Sequence, residues 1–178
     1  MALASTEELS SVLLHKKINT IGLFTVNSDS YSFLSESCFV VDGGISLFGD
    51  DFVFSIAWNQ EQELFDTSFG RAEKLLDGIE FYTLTHNEEL LRRVHGNIIT
   101  NIETRFTWYY DLNDDMEMIE PKHYIIEQLL LTLDNAITLQ IATVEYEVRN
   151  NAISKAVFNP QGELLCSINT IIQISEPE

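Results

Sequence analysis

Between Tyr124 and Val148 the chain runs through 25 residues dense in isoleucine, leucine and valine, with one turn signal, Asp134-Asn135, near the middle. Ile125, Leu129, Leu131 and Leu133 share one parity, and Ile137, Leu139 and Ile141 share it on the return. Alternation with period two around a polar turn predicts a β-hairpin with one buried face. A hairpin this apolar has to be covered, so it is expected to form the centre of a sheet. Val144, Tyr146 and Val148 fall on the opposite parity. A β-bulge near Ala142-Thr143 is the expected device for that slip.

The rest of the chain supplies further strands around this hairpin. Ile18 to Trp58 breaks into short apolar runs, punctuated by Asn27-Ser28-Asp29-Ser30, Asp42-Gly43-Gly44 and Gly49-Asp50-Asp51. Strand and turn at this spacing predict an antiparallel meander. Gln60–Leu76 reads as a loop with a helical turn around Arg71–Leu76, Ile79–Leu84 as a strand, and Ile98–Tyr110 as a long strand. Ile153–Phe158 and Glu163–Ile174 read as a last pair around Asn159-Pro160-Gln161-Gly162. Helices are expected at 5–16, with Ser5 or Thr6 as cap and Lys16-Lys17 at its end, and at Glu88–His95, capped by Asn87 and stopped by Gly96. The expected fold is α+β: a largely antiparallel, curved sheet of meander and hairpins with two or three short helices. One domain over 1–178 is expected, with a frayed tail at 175–178.

Charge narrows the function classes. Ten Lys and Arg stand against 28 Asp and Glu, a net charge of −18. The 53 residues from Ile18 to Gly70 hold eight acids and no Lys or Arg. A second acidic run covers Asp111, Asp114, Asp115, Glu117 and Glu120. Such a surface repels nucleic acid and anionic lipid and attracts basic proteins. Simple solubility explains the same imbalance. No apolar run reaches the roughly 20 residues that span a bilayer. Glu7 and Glu8 precede the first basic pair, which is not the order of a secretory signal. The expectation is a cytoplasmic protein that contacts neither membrane nor nucleic acid.

Chemistry-bearing motifs are absent. Asp111, Asn113 and Asp115 have the spacing of a calcium loop, but Met116 stands where glycine is required and Lys122 where a bidentate Glu is required. His15, His86, His95 and His123 are scattered, and Cys38 and Cys166 lie in apolar surroundings as expected buried thiols. No nucleophile elbow or phosphate loop occurs. Glu61 with Glu63, and Glu145 with Glu147, are carboxylate pairs of the kind any acidic chain offers. No metal, cofactor or catalytic residue is assigned.

Three readings follow. The first is a non-enzymatic, protein-binding inhibitor or immunity-type protein that neutralises a basic partner such as a toxin or nuclease domain. Its contact residues are Asp50, Asp51, Glu61, Glu63, Asp111, Asp114, Asp115 and Glu117. The second is a small-molecule-binding or enzymatic domain with a pocket lined by Trp58, His95, Trp108 and Tyr146. The third is an assembly subunit that uses a sheet edge or the Asp111–Glu120 loop.

Overall fold

The computed structural model describes residues 6–26, 32–35, 37–84, 91–113, 115–150 and 152–176. It gives the backbone alone at 32–34, 84, 109–112 and 119–124. Among the described residues, the helix α1 (Thr6–Leu13) precedes twelve strands. These are β1 (Thr20–Thr25), β2 (Ser32–Ser35), β3 (Cys38–Val41), β4 (Gly44–Phe48), β5 (Val53–Asn59), β6 (Leu64–Ser68), β7 (Tyr82–Leu84), β8 (Ile99–Leu112), β9 (Met118–Leu133), β10 (Thr138–Arg149), β11 (Ala152–Phe158) and β12 (Glu163–Ile168).

The strands form two antiparallel sheets. The smaller has the order β6-β5-β4-β1-β7. The larger has the order β2-β3-β12-β10-β9-β8, with β11 also paired to β10. The main core lies between them. Leu23, Leu47, Phe54 and Ile56 of the smaller sheet meet Phe39, Leu131, Ile141 and Cys166 of the larger, all buried. Leu9 and Leu13 of α1 join this core. Each inner face has an alternating apolar set, as face-to-face sheets require.

Asp42-Gly43 explains why there are two sheets where the sequence predicts one meander. β3 belongs to the larger sheet and β4 to the smaller, so this turn is a corner between sheets. Asp42 Oδ1 accepts hydrogen bonds from Thr25 Oγ1 (2.5 Å) and Val26 N (2.9 Å), which ties the corner to the end of β1. A Cβ on Gly43 would lie 2.7 Å from the Phe24 backbone, so the close approach needs glycine.

The β9–β10 hairpin is central, as its apolar density predicts. Leu139 pairs with Leu131, and β10 takes β12 as well. No bulge occurs at Ala142-Thr143; the β10–β12 register is continuous from Leu139 to Val144. From Leu139 to Val144 both faces of β10 are buried instead. Leu139 and Ile141 enter the main core, while Ala142 and Val144 enter a second cluster with Cys38, Val40 and Leu165. The parity change marks a change of covered face, with no slip in the strand.

Other expectations are corrected in the same way. Among the described residues there is one α-helix and a single 3-10 turn, Ala72–Lys74, so the fold is sheet-dominated. That turn brings Ala72 and Leu76 onto Phe24 and Ala57, covering the outer face of the smaller sheet. Leu91 and Arg92 are helical; residues 85–90, where the second helix was expected to begin, lie outside the described residues. β11 and β12 do not pair with each other. Both run antiparallel to β10, β11 along Val144–Arg149 and β12 along Leu139–Val144. The Asn159–Gly162 turn steps out between them. Ser175, the first residue of the expected frayed tail, is bridged to Val157; Pro177 and Glu178 lie outside the described residues.

Candidate interaction surfaces

The predicted contact acids occupy three separate turns. Asp50 and Asp51 form the β4–β5 turn beside the C-terminal end of α1. Asp50 accepts a hydrogen bond from Asn19 (2.6 Å), and Asp51 is ion-paired with Lys16. That lysine holds the Asp51 carboxyl below its ordinary range. Glu61 and Glu63 lie in the β5–β6 turn, at the opposite end of β5. The seven residues of β5 separate the two pairs by about 20 Å at 3.4 Å per residue. Asp115 and Glu117 are exposed in the β8–β9 turn. Asp111 is described by its backbone alone, and Asp114 lies outside the described residues.

The β8–β9 hairpin is longer than the sheet that supports it. Its register runs from Ile99↔Leu133 to Leu112↔Met118. β9 pairs with β10 only over Gln128–Thr132. Among the described residues, Met118–Glu127 have no strand partner besides β8. Ile125 and Ile126 are still buried, Ile125 in one cluster with Leu64 of β6. Beyond them the hairpin continues as a two-stranded arm, five residues of β8 from Trp108 to Leu112, or about 17 Å. The arm therefore leaves the body at the Glu61–Glu63 end, away from Asp50 and Asp51.

The tip of the arm is built around Asn113. Its backbone N–H donates to Glu117 O (3.0 Å) and its carbonyl accepts from Met116 N (2.9 Å). Its side-chain Oδ1 accepts from Asp115 N (3.0 Å) and Glu117 N (2.9 Å), and Nδ2 donates to Glu117 Oε2 (3.2 Å). Met116 is held in the left-handed region at φ 61°, where a side chain other than Gly or Asn is uncommon. It is 75 % exposed, and Met118 is 68 % and Trp108 54 % exposed. Two methionines thus stand in solvent beside two carboxylates, with Trp108 at the base of the arm, where it pairs with Tyr124. The sequence marks the loop and its acids; it does not show the two methionines facing water, because exposure depends on where the body stops.

The expected pocket residues do not converge. Trp58 packs edge-on against Phe65 at 5.6 Å within the body, and Trp108 is on the arm. His95 lies in the turn before β8, its pKa lowered by burial and by Arg92. A shallow concavity on the β10–β11 ribbon is lined by Glu145, Tyr146, Glu147, Lys155 and Val157, so it takes in Tyr146 and none of the other three. Glu145 and Glu147 share a strand face there and are both exposed.

Cys38 and Cys166 are buried and free. Cys38 belongs to the outer cluster of the larger sheet and Cys166 to the main core, on opposite faces. Burial pushes the Cys38 thiol up to about 12 and Cys166 well above its ordinary value, so neither supplies a thiolate near neutral pH. No group of three metal-ligating side chains occurs among the described residues, and none of their helices is long and apolar enough to cross a membrane.

Sequence reasoning did not single out Glu127. The β8–β9 register shifts between Arg105 and Phe106, which leaves Glu127 as the extra residue of a bulge. It is 2 % exposed and ion-paired with Arg105. Burial raises the pKa of its carboxyl, against the pull of Arg105, and Glu176 adds to the rise. With a folded-state pKa above the unfolded one, the native protein binds this proton more readily. Wild type should therefore gain stability relative to Glu127→Gln as pH falls from 7 toward the ordinary carboxyl value of 4.5. Urea unfolding of both proteins across that window measures it, and a pH-independent difference would contradict the assignment.

Comparison with family models, curated proteins and solved structures gives no match.

Proposed function

We propose that this chain is a non-enzymatic protein-binding module for a basic partner, of the inhibitor or immunity type, and that the β8–β9 arm is its principal contact. The observation that carries the reading is the arm tip: Met116 and Met118 exposed on a loop fixed by Asn113, beside Asp115 and Glu117. Exposed apolar side chains clustered on an ordered projection are the pattern of a contact surface, and methionine is enriched at such surfaces. The flanking carboxylates and the net charge of −18 favour a partner whose pocket is rimmed by Lys and Arg.

In this reading Glu61 and Glu63, at the end of the body from which the arm leaves, act together with Asp115 and Glu117 at its tip. Asp50 and Asp51 sit at the far end, already engaged by Asn19 and Lys16. Affinity capture from the native host, eluted in a salt gradient, tests the reading with variants. Neutralising Glu61, Glu63, Asp115 and Glu117 together should slow association with the captured partner and flatten its salt dependence. Neutralising Asp50 and Asp51 should do neither. Met116→Ser should weaken binding by about fivefold or more, the loss of ~1 kcal/mol from an anchor. An acidic partner, or equal effects from both charge variants, would refute it.

A further inference from the structure

After β12 the chain turns back, and residues 169–176 lie across the outer face of the larger sheet. Gln140, 1 % exposed on β10, grips this strap through its side-chain amide. Its Oε1 accepts from Ile172 N (2.8 Å) and its Nε2 donates to Ile172 O (2.8 Å). The remaining capacity of the amide is filled within the sheet: Nε2 donates to Gln128 Oε1 (3.2 Å), and Oε1 accepts from Ser167 Oγ (2.9 Å). Two residues on, Arg105 Nη2 donates to Ile174 O (3.3 Å). At Ser175 the strap joins the edge of β11 as a parallel bridge, with Phe158 N donating to Ser175 O (2.9 Å) and Ser175 N to Ala156 O (3.0 Å).

All these contacts are made to the main chain of the strap. Packing in a core is tied to the side chains of both partners, whereas a main-chain hydrogen bond is indifferent to sequence. At its ends the strap also uses side chains: Asn169 Oδ1 accepts from Thr138 N (3.1 Å), Thr170 Oγ1 meets Ser37 Oγ (3.1 Å) and Ser175 Oγ donates to Ala156 O (3.2 Å), whereas over residues 171–174 burial alternates. Ile172 and Ile174 point into the apolar cluster that holds Cys38, Ala142 and Leu165, while Ile171 and Gln173 are exposed. Main-chain pairing combined with pockets for every second side chain is how extended peptides are recognised. The buried amide that does the gripping is already in place on a central strand.

We propose that the outer face of the larger sheet around Gln140 and Arg105 is a binding site for an extended segment of a partner protein with aliphatic residues at alternate positions, and that residues 169–176 occupy it in cis. The strap competes as a tethered ligand, at an effective concentration on the order of millimolar. A segment in trans binds well only when the strap is weakened. The inference is independent of the arm.

The probe is a labelled peptide with the sequence of residues 167–178, read by fluorescence anisotropy against the full-length chain. Ile174→Ser should bind it at least about tenfold more tightly than wild type, the relief of cis competition. Gln140→Leu added to Ile174→Ser should lose that gain, as should a peptide with serine in place of both isoleucines. Ile172→Ser, at a half-buried position, replaces Ile174→Ser if the latter does not fold by circular dichroism. Wild type gives a second readout: millimolar peptide should accelerate hydrogen exchange at the Ile172 and Ser175 amides. A folded strap variant that binds no peptide, together with unchanged exchange in wild type, overturns the proposal. Sedimentation of wild type as a dimer with exchanged straps would overturn the assigned occupant in favour of a second copy.

Discussion

Leu131→Asp abolishes the cooperative melt of this protein, or lowers its stability by several kcal/mol if a folded population survives. Leu131 is fully buried in the main core and pairs with Leu139 on β10 and Ile102 on β8. The substituted carboxyl meets apolar side chains from both sheets and has no basic partner there. It must stay charged and desolvated or take up a proton, and each route costs several kcal/mol. Total stabilities of domains this size are about 5–15 kcal/mol, so one such change consumes much of the whole. Leu131→Ala removes contacts without adding charge and should cost about 2–5 kcal/mol. Thr132→Asp, next in sequence and half-buried, is the control that should cost much less. Urea titration of the three variants gives the ranking. A melt of Leu131→Asp like that of wild type would remove this residue from the core.

Gly44→Val is expected to be the second most damaging single change, and for a different reason. Gly44 lies on β4 between Phe24 of β1 and Ala57 of β5. A Cβ at this position falls 2.6 Å from the Ala57 Cβ and 2.8 Å from Ile56 O. Ala57 is fully buried, under Ala72 and Leu76 of the covering segment. Backbone on one side and a packed alanine on the other leave no side-chain end that can swing away. The smaller sheet must open between β4 and β5, at about 3 kcal/mol or more. Ala57→Gly in the same chain should recover part of the loss and leave the clash with the Ile56 carbonyl. Full recovery would mean that the backbone yields there.

The two changes mark what was legible in the sequence. The shared parity of Leu129, Leu131 and Leu133 with Leu139 and Ile141 identifies the hairpin, and Leu131 can be chosen from it; Ile125, across the Glu127 bulge, enters the other cluster. Asp42-Gly43-Gly44 announces a turn, but turn chemistry does not say whether the next strand stays in the same sheet. That depends on which face Val41 and Ile45 find covered. β6 was missed because Leu64 and Phe65 are adjacent and Thr67 is a buried polar residue, so no alternation shows. The parity change in β10 looked like a slip because period-two reasoning assumes one wet face, and β10 has none from Leu139 to Val144. The acidic clusters were visible as charge, whereas their division between opposite ends of β5 is a fact of three dimensions. Glu127 and the Gln140 grip left no trace, since each works through main chain or residues far away in sequence.

The arm as the contact of a basic partner is the central claim. The most direct measurement is site-specific photo-crosslinking in the native host, with a photoreactive residue at position 116 in one protein and at position 50 in another. The expected result is a crosslink to a basic protein from position 116, diminished by salt, and none to that protein from position 50. Labelling of the same partner from position 50 alone, or an acidic protein captured from position 116, would contradict it.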